Sequence, residues 1–114
     1  MHVVAAAAGP ITPVGVEQRL EALPEVAAAA LVGVGPRGVQ QPVAVVVPAM
    51  GGGSDVLAEA PLARAVRGAA GIELAAVLQT KALPVDIRHA SKVDRARLAR
   101  WAERVLAGGR VGRP

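Results

Sequence analysis

Val26-Ala-Ala-Ala-Ala-Leu-Val-Gly-Val34 and, after a short break, Pro42-Val-Ala-Val-Val-Val-Pro48 decide how this chain is read. Each is a short apolar run bounded by turn formers: Pro24 before the first, Gly35-Pro36-Arg37-Gly38 between them, Pro48 closing the second. Runs of this length and flanking fit buried strands joined by a turn. The alanines at 27–30 favour a helix on propensity alone. Pro24 and Gly33 bracket them, and the strand reading is kept.

Outward from this pair, residues 2–12 read as a short hairpin with Gly9-Pro10 as its turn. Thr12 then offers an N-cap and Pro13 a first helical position, and Val16, Leu20 and Leu23 recur at helical spacing, which predicts a helix over 13–23. Met50-Gly-Gly-Gly-Ser54 is a linker, followed by a turn of helix at 55–59. Pro61 and Gly71 frame a helix over 61–69 with Leu62, Ala65, Val66 and Ala69 on one face. Ile72 to Leu83 supplies a third strand centred on Val77-Leu78. Ser91-Lys-Val-Asp94 resembles a capping box and opens the last helix. Its inner stripe is Val93, Leu98, Trp101, Ala102, Val105 and Leu106, with Arg95, Arg97, Arg100 and Arg104 mostly outside, and Gly108-Gly109 ends it. The fold class is α+β: a small, mostly antiparallel, three-stranded sheet covered by helices, with an N-terminal hairpin.

The composition bounds what such a domain can do. Its 114 residues suit one domain over 1–109 with a tail over 110–114, and 53% hydrophobic content argues against disorder. There is no cysteine, which removes disulfides and thiolate metal sites. A single aromatic ring, Trp101, leaves no stacking platform for RNA bases. No run of about 20 apolar residues exists to span a membrane. The opening Val3–Ala8 lacks the basic flank of a signal peptide, so the expected location is the cytoplasm. The net charge of +4 is unevenly spread: residues 1–87 carry five basic and seven acidic groups, residues 88–114 eight basic and two acidic.

Gly33-Val-Gly-Pro-Arg-Gly38 satisfies a dinucleotide-binding pattern, but that motif requires a helix to follow and a valine run follows instead, so it is a turn. His2 and His89 stand far apart without paired acidic ligands, and no metal site is expected. Ser91 lacks the context of a nucleophile and reads as an N-cap. Lys92 is more informative. It sits between the polar segment Pro84-Val-Asp-Ile-Arg-His-Ala-Ser91 and a helix start, where the dipole favours anions over an ammonium, in a chain whose other basic residues are Arg except Lys81. An anion shared by the lysine and the helix start accounts for it; a solvated lysine is the alternative.

These residues resemble the C-terminal domain of the adenylate-forming enzymes, the superfamily of acyl-CoA synthetases, luciferases and peptide-synthetase adenylation domains. Ile11-Thr-Pro-Val-Gly-Val-Glu17 is similar to the family's Asn-Ile-x-Pro-x-Glu-Ile-Glu helix start. Val26 with Ala29-Ala-Leu-Val-Gly-Val34 is similar to its next strand, and Val43 to Val47 to the one after. Leu83-Pro84 with Ser91-Lys92-Val93-Asp94-Arg95 is similar to its closing Leu-Pro-x-x-x-x-Gly-Lys-Ile-x-Arg motif. Ser91 stands where that motif has Gly, and Pro84 lies eight positions before Lys92, two more than the common spacing. Pro84-Val-Asp-Ile-Arg-His with Lys92 resembles the branch of olefin β-lactone synthetases and related fatty-acid ligases.

The resemblance implies that Lys92 is the catalytic lysine of an ATP-dependent, AMP-forming ligase activating a fatty or β-hydroxy fatty acid. Its charge would bridge the substrate carboxylate and the ATP α-phosphate. Arg88 and His89 would be substrate or phosphate contacts. ATP with Mg, and CoA where it is used, would be bound mainly by a large N-terminal adenylation domain, covalently linked or in trans, and the lid would be inactive without it. Nucleic acid is not the expected partner. A second reading stays open, a non-enzymatic α+β interaction module whose basic last helix docks an acidic partner or RNA.

Overall fold

The computed structural model describes residues 4–6, 9–36, 39–50, 56–84 and 93–108, with side chains from Thr12 onward. Two apolar runs meet as foreseen: β3 (Val26–Val34) and β4 (Gln41–Pro48) pair antiparallel from Val34↔Gln41 to Ala28↔Val47, with a register shift between Ala28 and Val26. A third strand, β5 (Ala76–Gln79), adds to β4 in parallel from Val43↔Ala76 to Val46↔Gln79, giving the order β3-β4-β5. Parallel neighbours need a crossover, and α2 (Ala60–Ala70) lies in it. Ahead of the sheet come a two-stranded hairpin, β1 (Val4–Ala6) and β2 (Gly9–Ile11), and α1 (Pro13–Glu21); α3 (Arg95–Leu106) follows it.

Strand periodicity divides the core in two. Ala29, Leu31, Ala44, Val46 and Val77 face Val16 and Leu20 of α1 and Val66 and Ala70 of α2. Ala30, Val32, Val43, Val45, Ala76 and Leu78 face Leu98, Trp101 and Ala102 of α3. With helices on both faces, alternate residues of one strand enter different cores, so the continuous apolar run is a requirement of the position. The alanine run lies in β3, with Ala29 and Ala30 buried on opposite faces.

Both sheet edges are covered. On the β3 side, Leu31 N donates to Glu17 Oε2 at 2.7 Å and Ala29 N to Glu21 Oε2 at 3.3 Å. Four residues of helix advance about 6 Å and two of strand about 6.6 Å, so successive carboxylates of α1 meet alternate outward N–H groups of β3. On the β5 side, Ala58 N donates to Val77 O at 3.1 Å and Gln79 N to Val56 O at 2.8 Å, with Leu57 bridging Leu78 antiparallel. Edge N–H and C=O groups left bare would recruit another chain.

Several boundaries differ from the sequence reading. Gly9 and Pro10 belong to β2, paired with Ala6 and Ala5, and do not form the turn; proline can stand in an edge strand. Thr12 occupies the N-cap of α1 without a side-chain bond, and α1 ends at Glu21 rather than residue 23. The expected helical turn at 55–59 is instead extended at Val56–Ala58, because β5 needs backbone partners there. The third strand shrinks from 72–83 to Ala76–Gln79. Helix α2 keeps its Pro61 start and its Gly71 end, where φ is +74° and Arg19 Nε and Nη2 donate to the Ala70 carbonyl at 3.1 and 2.7 Å. Its inner face is Leu62, Ala63, Val66, Ala69 and Ala70, so Ala63 and Ala70 stand where Ala65 was expected. The Gly51–Gly53 linker lies outside the described residues.

Helix α3 owes its position to three buried side chains, Leu98, Trp101 and Ala102. Leu98→Ala is expected to cost about 2–5 kcal/mol through lost burial and a residual cavity. Urea denaturation followed by the emission of the single Trp101 measures this, and Arg100→Ala on the exposed side of the same helix leaves the midpoint unchanged.

Candidate functional site

The sequence reading places the chemistry on the segment between Pro84 and α3. Leu83 and Val93 both pack against the core that contains Trp101. Asp94 N donates to the Pro84 carbonyl at 2.8 Å. Lys92, Arg88, His89 and Ser91 lie outside the described residues. Along the chain, Lys92 immediately precedes the anchored Val93.

The start of α3 differs from its expected form. Asp94, not Ser91, is the N-cap, and its carboxylate accepts from Arg97 N at 3.1 Å. Val93 stands before the helix yet still packs inward. At the other end Leu106, expected inside, is 43% exposed. Arg97, Arg100 and Arg104 are exposed as foreseen. Arg95 is not: it turns back to Glu17.

This pair is the feature that sequence reasoning missed. Arg95 Nη2 donates to Glu17 Oε1 at 2.7 Å, and Nη1 donates to Oε2 in a second, parallel contact. The fork-on-fork geometry is the strongest form of an arginine–carboxylate bond. Glu17 is 8% exposed, and its Oε2 also takes the Leu31 N–H. One carboxylate therefore joins α1, β3 and the first residue of α3. Two signals were present in the sequence. Pro13, Val16, Glu17 and Leu20 form the buried stripe of α1, so a charge runs through an apolar face and needs a partner. Arg95 places a cation where the helix dipole is unfavourable. What the sequence does not display is that positions 78 apart meet.

A second carboxylate, Glu103, accepts from Gly35 N at 3.3 Å and ties α3 to the turn after β3. That turn is the glycine-rich motif weighed above, and the strand β4 follows it, as the turn reading expects. An open cleft of about 260 Å³ lies elsewhere, lined by Glu25, Pro48, Met50, Glu59, Pro61, Leu62 and Gln79. Both of its charged groups are carboxylates, a poor setting for phosphate. No helix among the described residues is long and apolar enough to cross a membrane.

The Glu17 contacts make a stability test. Glu17→Ala strips a buried N–H and a guanidinium of their acceptor and is expected to cost about 1–3 kcal/mol. Glu17→Gln retains an oxygen for Leu31 N and costs less, and urea midpoints of the two variants give the comparison.

Comparison with known proteins gives this geometry its context. No protein-family model matches the chain. It is 40% identical over 104 residues to the olefin beta-lactone synthetase of Xanthomonas campestris pv. campestris, covering 89% of this chain and 19% of that protein. Among solved structures it is similar to the amide bond synthetase McbA from Marinactinospora thermotolerans, with a TM-score of 0.63, 27% identity, 87% of this chain and 20% of that one. It shares its fold with ATP-bound MatB from Rhodopseudomonas palustris at a TM-score of 0.68 and 21% identity, over 90% of this chain and 20% of MatB. The chain thus spans about a fifth of the length of the proteins it matches. It belongs to the adenylate-forming superfamily, as a C-terminal domain of that superfamily with relatives named olefin beta-lactone synthetase.

Proposed function

We propose that residues 1–109 form the lysine-bearing lid of an ATP-dependent, AMP-forming ligase that activates a fatty or β-hydroxy fatty acid in the cytoplasm, with 110–114 as a tail. The observation that carries this reading is the 40% identity over 104 residues to an olefin beta-lactone synthetase. In the proposed reaction a carboxylate oxygen of the acid attacks the α-phosphorus of ATP, the bond to the β-phosphate bridge breaks, and pyrophosphate leaves as acyl-AMP forms. Negative charge builds on the α-phosphate oxygens at the transition state. The Lys92 ammonium bridges that oxygen cluster and the acid's carboxylate, supplying electrostatic stabilisation without a proton transfer. A compact charge on a four-carbon stem suits an approach from a separate domain. Arg88 and His89 are assigned supporting contacts to phosphate or substrate.

The remaining parts belong to the large N-terminal domain, and the lid is inactive without it. Mg–ATP is assigned to that domain, and no step of the lid runs through Mg. CoA enters only where the acyl group goes on to a thioester. The competing reading, a basic helix docking RNA or an acidic protein, has less to work with than the sequence suggested. Arg95 is neutralised by Glu17, which leaves Arg97, Arg100 and Arg104 as the exposed arginines of α3.

The test is a chimera in which this chain replaces the corresponding C-terminal fifth of the Xanthomonas campestris synthetase. Acyl-AMP formation from ATP and a β-hydroxy fatty acid is expected to fall about 10²–10³-fold in Lys92→Ala, the range for removal of one transition-state charge contact. Equal rates for Lys92 and Lys92→Ala overturn the assignment.

A further inference from the structure

We infer that Glu17 and Arg95 form a positioning clamp that fixes where Lys92 is delivered, an inference that rests on the catalytic reading of Lys92. Arg95 stands three residues past the lysine along the chain. Arg95 is the first residue of α3, its guanidinium doubly bonded to the Glu17 carboxylate. Glu17 is in turn held by Leu31 N at 2.7 Å, in the middle of the edge strand β3. Two further ties converge on the same point: Asp94 N on the Pro84 carbonyl at 2.8 Å, and Val93 packed into the Trp101 core. The two residues that follow Lys92 are thereby referenced to the sheet, and the clamp extends that reference to the helix start.

Stability alone does not explain the arrangement. Helix α3 is already seated by Leu98, Trp101 and Ala102, each 0–1% exposed. Its first turn carries no acidic residue and two arginines, the unfavourable sign for the dipole. A bidentate arginine at that position defines both the distance and the plane of the contact, which a lysine or an apolar side chain does not. A local rule broken at a helix start beside the proposed catalytic residue marks a position chosen for geometry. A lysine on a long stem must meet the α-phosphate oxygens at hydrogen-bond distance, and a misplacement near 1 Å costs on the order of a hundredfold in rate.

The chimera described above decides it. Adenylation kcat and the KM for ATP are measured for Glu17→Gln, Arg95→Met and Arg95→Lys, each with Lys92 present and with Lys92→Ala. Loss of the clamp is expected to lower kcat on the order of tenfold with KM for ATP unchanged. In the Lys92→Ala background the same substitutions have no further effect, since nothing remains to be positioned. Arg95→Lys keeps the charge but loses the fork, and it serves if Arg95→Met does not fold; it is expected to restore less than half of the lost kcat. Losses that are the same in both backgrounds, or rates unchanged by all three substitutions while Lys92→Ala is impaired, overturn the clamp. A chimera indifferent to Lys92→Ala overturns instead the reading on which the clamp rests.

Discussion

A carboxylate sunk into the apolar stripe of a helix is the constraint around which this small domain is arranged. Glu17 lies between Val16 and Leu20 on the buried side of α1. Removing an ion from water costs several kcal/mol unless its lone pairs find partners. The partners are a strand N–H and a guanidinium, Leu31 N and Arg95. Because one is in the sheet and the other begins the opposite helical layer, satisfying the charge sets the relation of three elements. Such pairs contribute more to a unique geometry than to net stability, as the desolvation cost and the attraction largely offset.

The rest of the core is generic by comparison. Small aliphatic residues fill both faces of the sheet, and Trp101 is the only aromatic ring in the chain. Such a core resists deformation, since close-packed interiors transmit displacement. It does not by itself define the angle at which α3 leaves the sheet, because Ala, Val and Leu contacts are directionally permissive. Direction comes from the polar ties that reach other elements: Arg95 on Glu17 at its start and Glu103 on Gly35 N toward its end.

What the sequence made legible follows from how local each signal is. The bounds of β3 were readable because Pro24 and Gly35 enclose an apolar run, and α2 because Pro61 and Gly71 mark its ends. The parallel course of β5 was not, since the direction of a strand is decided by the crossover and not by the strand's own residues. Gly9-Pro10 misled because that dipeptide is a turn former, while here an edge position tolerates it. The extended course of Val56–Ala58 exists to satisfy the backbone of β5, a demand that arises only after folding. For the site, a lysine in an arginine-rich chain at a helix start drew attention to Lys92. The Glu17–Arg95 pair stayed hidden because each residue looked odd alone and only the fold brings them together.

The charge distribution takes on a different meaning in this light. Eight basic groups crowd into residues 88–114, which suggested a polyanion partner. Yet Arg95 is neutralised within the domain. Of the described arginines near the helix start, Arg97 and Arg100 remain exposed. A nucleic-acid surface gains affinity from many equivalent phosphate contacts, and each cation diverted to an internal carboxylate weakens it. A phosphate-handling lid has the opposite requirement. It needs one cation at a defined place, and its other charges must either hold that place or stay clear of it. An arginine committed to a buried glutamate a few residues from the lysine fits the second demand, and is wasteful under the first.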